Sequence, residues 1–192
     1  MNPSVVRKAR ELMRRRTRIN GAPSWLLTEM AVAEGARLAG KYRVDAVLMQ
    51  VALYGAHTVF SPVWQGRVQS RHEFLSAKFM APHLKKWGAT PEESALVLNA
   101  IQSHHDSGAA LSKFAVVMRN AECVKFVSLK GALVTFHEFG LRGLPMREAA
   151  EKTLAKMRQK RKLLTLPDCK KRATWNCRQI EKIFRVLLRN NA

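Results

Sequence analysis

Six histidines stand at positions 57, 72, 83, 104, 105 and 137 of this 192-residue chain. Imidazole is the side chain best suited to bind a transition metal or to move a proton near neutral pH. His104 and His105 are adjacent, and His72 opens the run Arg71-His72-Glu73-Phe74-Leu75-Ser76-Ala77. His83 follows His72 by eleven residues, which puts both on one helix face, although Pro82 between them weakens that pairing. His137, close to Gly140, reads as the cap of a helix end. Other chemistries find no support. Cys123, Cys169 and Cys177 are too sparse for a disulfide framework and lack the close spacing of a zinc pair. No Gly-x-Ser-x-Gly, phosphate-binding P-loop or His-Glu-x-x-His motif occurs.

The elements that must position these histidines are helical. Apolar residues recur at helical spacing, and no long run alternates apolar with polar residues. Residues 4–18 read as a basic helix closed by the turn Asn20-Gly21-Ala22-Pro23, and Ser24 caps a helix over 25–40. The almost wholly apolar stretch 44–57 reads as a central core helix, and 58–70, with Pro62 and Gly66, as a loop. A helix over 71–87 is closed by Gly88. Thr90-Pro91-Glu92-Glu93 then opens a helix that ends at His104-His105, with a cap, an early proline and acids on its positive end. Residues 111–129 form another apolar helix, which 132–139 extends; Leu144-Pro145-Met146 opens a charged helix to about 164, and Pro167 starts the last one, to about 190. The sum is an all-α, compact multi-helix bundle of seven to eight helices, forming one domain over 1–192 with a core at about 24–140. A composition of 47% hydrophobic and 25% charged residues fits a globular chain. No stretch is apolar enough to span a membrane, the start lacks a signal peptide's apolar core, and reduced cysteines fit the cytoplasm.

The series from His72-x-x-x-Ser-Ala through Trp87-Gly88-Ala89-Thr90-Pro91-Glu92-Glu93 to Ile101-Gln102-Ser103-His104-His105 resembles the middle of an HD-domain metal-dependent phosphohydrolase. The likeness extends loosely over residues 4–190, with 45–54 resembling the helix that carries the family's His-Asp pair and 118–126 the helix with its metal-binding Asp. The resemblance implies a metal held by an early His, the His-Asp pair and that distant Asp, acting on phosphorus through an activated water. This chain departs from the pattern. The early His position falls near Leu26, the pair near Gly55-Ala56 with His57 followed by Thr58, and the distant Asp near Asn120 or Glu122. His72, His104 and His105 match secondary positions that hold substrate phosphate or a second metal in some members. Three readings stand open. The chain is a pseudoenzyme on an HD scaffold, with no catalytic residue assigned and no cofactor. Or His57, His72, His104 and His105, with Glu122 or Asp106, form a rearranged site for a divalent transition metal. Or the likeness is accidental and the histidines cap helices.

Charge supplies a second line of argument. Lys and Arg number 34 against 14 Asp and Glu, a net charge of +20, which points to a polyanionic partner. Most of the excess lies at the two ends, net +6 over residues 1–20 and +11 over 142–192. Arg7, Arg14 and Arg18 share a helix face, with Arg10 and Arg15 beside them. Lys171, Arg178, Lys182, Arg185 and Arg189 fall within about 60° of one another on the last helix, with Trp175, Ile180, Phe184, Leu187 and Leu188 expected on its packing side. Lys152, Lys156, Arg158, Lys160, Arg161 and Lys162 add charge on the helix before it, and Trp64, in the stretch 63–71 with Arg67 and Arg71, could stack a base. One-sign stripes without acids at i±4 cost stability, and phosphate backbones would offset that cost through counterion release. The function expected is nucleic-acid binding, RNA or DNA, through the basic terminal helices of a degenerate, non-catalytic HD scaffold, within a larger nucleoprotein complex. The alternative is a metal-dependent phosphohydrolase of nucleotides or nucleic acid with a rearranged histidine-rich site.

Overall fold

The computed structural model describes residues 1–60, 71–106 and 108–189. Among these the regular structure is nine helices: α1 (Ser4–Asn20), α2 (Trp25–Tyr42), α3 (Ala46–Gly55), α4 (His72–Lys86), α5 (Pro91–Ser103), α6 (Lys113–Phe126), α7 (Leu129–Leu141), α8 (Met146–Lys162) and α9 (Pro167–Arg189). The all-α class is as expected. The helix count is one higher than expected because α7 is a separate element and does not extend α6. Ser128 makes the break: its hydroxyl donates to the Lys125 carbonyl at 2.8 Å and accepts from the Gly131 N–H at 3.1 Å. Only glycine fits at 131, where a Cβ would lie 1.7 Å from that same Lys125 carbonyl oxygen.

The chain divides into two compact units, Met1–Glu122 and Cys123–Ala192. In the first, α3 is the central element. It packs against α1, α2, α4 and α5, and from Leu48 to Gly55 every residue but Gln50 is buried. Asp45 caps it, accepting from the Leu48 N–H at 2.8 Å. Gly35 lets α2 close on it: a Cβ there would stand 2.2 Å from Leu53 Cδ1. The buried positions of α1, Val5, Ala9, Leu12 and Met13, recur at helical spacing, and Gly21 ends the helix in the left-handed conformation at φ 68°. Before α5, Thr90 and Glu93 form a complete capping box with Pro91 at the first turn.

The second unit is built on α7, α8 and α9, whose buried residues include Leu154, Met157, Cys177, Ile180 and Phe184. Phe136 meets Phe184 edge-on at 5.4 Å between ring centres, the geometry aromatic pairs favour.

Candidate metal centre

Three ends of helices in the first unit bring the histidines together. His57 lies on the turn that follows α3, His72 is the first residue of α4, and His104 caps the end of α5. One ring nitrogen from each lies within 4.8 Å of the others, so the three could hold a metal ion. The rings pack accordingly, with His57 stacked on His72 at 5.3 Å and His104 edge-on to both at 4.8 and 5.1 Å.

Backbone and carboxylate partners fix these rings. His104 is fully buried, and its Nδ1 lies 2.6 Å from the Ile101 carbonyl, so Nδ1 carries the proton and Nε2 the lone pair. His72 Nδ1 lies 3.4 Å from the buried carboxylate of Glu73, which sets the same tautomer. The two Nε2 atoms then face each other at 3.2 Å. Opposed lone pairs at that distance are stable with a shared proton or with a cation between them. A metal–imidazole distance of about 2.1 Å places neighbouring ligand nitrogens roughly 3.0–3.4 Å apart, so this pair is already at ligand spacing. On the other side His57 Nε2 lies 3.1 Å from Glu122 Oε2, the buried carboxylate that α6 contributes. The donor set is therefore three imidazoles backed by two carboxylates, a combination that suits transition metals and the outer-shell pattern of metal sites.

The turn carrying His57 is pinned from both sides. Arg16 Nε of α1 donates to the Thr58 carbonyl at 2.6 Å, and the Val59 N–H donates to Ser76 Oγ of α4 at 3.1 Å. Arg119 of α6 donates to the carbonyls of Ser103 and Gly108, holding the segment around His104. His105 stands beside the group, its ring 5.7 Å from that of His72, but its Nδ1 is engaged by Asp106. The remaining histidines lie elsewhere. His83 packs between Phe79 and Trp87, where burial and then the nearby Lys86 and Arg15 charges push its pKa down. His137 is exposed within α7 and not at its end.

Leu26 is 41% exposed. Tyr54 stacks on Trp25 and donates to Glu29 at 3.0 Å, and burial with that bond pushes its pKa up to about 12. Glu73, which orients His72, was not foreseen; its signal was adjacency in the Arg71-His72-Glu73 run, where His72 Nδ1 and the carboxylate meet at the helix start.

The basic faces are placed as follows. Arg7, Arg10, Arg14, Arg15 and Arg18 are all exposed on α1, and Arg14, Arg15 and Arg18 line a groove of about 410 Å³ with Glu11. Arg10 pairs with Glu29 at 3.3 Å, and it and Arg14 stand over the Trp25 ring at 5.6 and 6.0 Å. Arg71, just before His72, is exposed over Phe74. Arg67 and Trp64 lie outside the described residues. On α8 the expectation needs correction. Lys160 is 2% exposed and, with half-buried Lys156, lies over the Phe126 ring. Acids at i±4 do occur there, pairing Glu148 with Lys152 and Arg147 with Glu151. On α9, Lys171, Arg178, Lys182 and Arg185 are exposed, while Arg189 is described only as the helix's last residue.

No protein-family model matches the chain, and no curated protein sequence matches it. Solved structures do. Bacillus subtilis YpgQ in complex with ADP is similar over 95% of this chain and 97% of that one, with a TM-score of 0.68 and 14% identity. A second structure of Bacillus subtilis YpgQ gives 0.69 and 15%, over 97% of each chain. What these neighbours share with this chain is an all-helical fold. At such identities the likeness is one of fold, and the chemistry rests on this chain's own residues. No helix among the described residues is long and apolar enough to cross a membrane.

Proposed function

We propose that this chain is a metal-dependent phosphohydrolase of nucleotides, with His57, His72 and His104 as ligands and Glu73 and Glu122 behind them. The observation that carries this reading is the His72–His104 pair, with both Nδ1 atoms engaged and both Nε2 atoms facing at 3.2 Å. A divalent transition metal bound there would supply Lewis acidity toward a phosphoryl oxygen and lower the pKa of a water. The chain's own part is orientation. The Ile101 carbonyl and Glu73 hold two rings, Glu122 holds the third, and the positive end of α4 lies at His72, where a phosphate's charge is favoured. Nucleotides are the substrate class because YpgQ, similar in fold, was crystallised with ADP. Three buried cysteines that form no disulfide fit a cytoplasmic setting. The test is metal content of protein purified without added metal, together with hydrolysis of nucleoside di- and triphosphates. Stoichiometric Mn, Fe, Ni or Zn and metal-dependent phosphate release, both lost in His72→Ala and His104→Ala, are expected. A wild-type protein that takes up no metal would refute the reading.

A second reading is favoured by the exposed cations of α1 and α9: the chain binds nucleic acid, within a larger nucleoprotein complex, and does no chemistry. Its signature is an affinity for nucleic acid that falls steeply with salt. Purified protein whose 260/280 nm absorbance ratio is high, and falls after a high-salt wash, is the expected result.

A further inference from the structure

Trp175 is 65% exposed, although a helix that packs on one side would ordinarily turn its largest apolar residue inward. The packing side of α9 is made without it, by Cys169, Ala173, Cys177, Ile180 and Phe184. At about 100° per residue, Trp175 falls roughly 40° from Lys171 and 20° from Lys182, with Arg178 and Arg185 completing the same stripe. All four cations are exposed, and among the described residues none of them is paired with a carboxylate. Successive turns of the stripe therefore present Lys171, Trp175, Arg178, Lys182 and Arg185, an aromatic plane set between positive charges.

We propose that this face of α9 binds an unpaired stretch of nucleic acid, with a base stacked on Trp175 and the flanking phosphates on Lys171, Arg178, Lys182 and Arg185. The proposal rests on the nucleic-acid reading above and adds what that reading lacks, a preference for strands whose bases are free. Charge complementarity identifies the occupant as a polyanion, and the exposed indole narrows it. Cations alone track the backbone of duplex and single strand alike. An exposed ring adds binding only where a base can leave its own stack, and it does so for any base. An anionic membrane is a poorer match, because Trp175 has basic residues at i−4, i−3, i+3 and i+7, and the exposed Ile183 and Val186 beside it make too small an apolar face to enter a bilayer.

The test uses the full chain and two fluorescently labelled probes, a 12-nucleotide oligo(U) and a blunt 12-base-pair duplex, followed by anisotropy at fixed salt. The single strand binds more tightly. Trp175→Ala weakens the single strand by roughly 5- to 150-fold, the range that loss of one stacked base gives, and leaves the duplex within about twofold. Trp175→Phe, which keeps a ring, recovers part of the loss. Lys182→Glu with Arg185→Glu weakens both probes. Because Trp175 is exposed, unchanged melting curves serve as the folding control. If both probes bind but Trp175→Ala changes neither, the stacking proposal is overturned while nucleic-acid binding stands. If neither probe binds, the reading beneath it fails as well. If the protein instead binds vesicles containing phosphatidylserine, and Trp175→Ala abolishes that, a membrane takes the place of the nucleic acid and the proposal is wrong.

Discussion

Metal binding at the three histidines has a size that can be worked out in advance. The His72 and His104 Nε2 atoms lie 3.2 Å apart, within the roughly 3.0–3.4 Å of two imidazoles on one metal. The third ligand atom lies within 4.8 Å of these, so the three rings are close enough to share one ion. A metal at a hundred times its dissociation constant stabilises the folded state by about 2.7 kcal/mol. For a chain of this length each kcal/mol moves the melting temperature by about 2–4 °C, so metal-stripped protein should gain roughly 5–11 °C on adding Mn²⁺, Ni²⁺ or Zn²⁺. Mg²⁺ should give little, because a nitrogen-rich donor set does not suit a hard oxygen-seeking ion. Glu73→Gln should weaken metal affinity by about 10- to 100-fold, since it touches His72 and not the metal. At the same metal concentration the gain then shrinks to about 1–6 °C. His104→Ala should abolish the gain altogether. Because His104 is buried, that variant also starts from a lower melting temperature, so the quantity to compare is the metal-dependent difference within each protein. Differential scanning fluorimetry with and without metal reads it directly. A wild-type gain that persists undiminished in His104→Ala would place the metal elsewhere and refute the reasoning.

Glycines separate two kinds of helix position. Gly131→Ala forces a Cβ to within 1.7 Å of the Lys125 carbonyl and should destabilise by at least about 1–3 kcal/mol in urea melts. Gly40→Ala, where nothing lies within 4 Å, should stabilise by about 0.5–1 kcal/mol. His83 has its pKa lowered by burial and by Lys86 and Arg15, so the stability it contributes is complete above its unfolded value near 6.5 and is lost as pH falls through the folded value. His83→Asn should flatten stability against pH on that acid side. Tyr54 has the opposite sign: its pKa is raised to about 12, so the associated stability is present below pH 10 and is lost as pH rises from 10 toward 12. Tyr54→Phe should remove that alkaline loss and cost about 0.5–1.5 kcal/mol at neutral pH, through the hydrogen bond to Glu29.

Much of the fold was legible because its signals are local. Ser24 and Thr90 each accept from the backbone N–H three residues on, and each opens a helix where a capping residue precedes an apolar repeat; Asp45 does the same for α3, whose start was expected at residue 44. The almost wholly apolar stretch before His57 became the central α3, since a segment with so little polar face must be covered on nearly all sides. What misled was the corner between α6 and α7. Apolar residues run on through Val127 and Leu129, so periodicity reads straight across, whereas the break depends on one hydroxyl and one missing Cβ.

At the candidate centre, histidine identity was legible and orientation was not. The spacing of His57, His72 and His104 along the chain says nothing about their meeting; that follows from three helix ends converging, which is set by the packing of α3, α4 and α5. Glu73 and the Ile101 carbonyl do their work through the direction of a single bond, at 3.4 and 2.6 Å, and no residue pattern encodes a direction. The last helix makes the converse point. There Trp175 was expected on the packing side by its residue type, whereas helical phase sets it about 20° from Lys182 and the structure exposes it. A tryptophan buried on α9 would have made that helix an ordinary amphipathic lid with a charged back. With the indole at 65% exposure, the charged side gains a surface that charge alone does not explain, and a partner offering both phosphates and unstacked bases answers both features together.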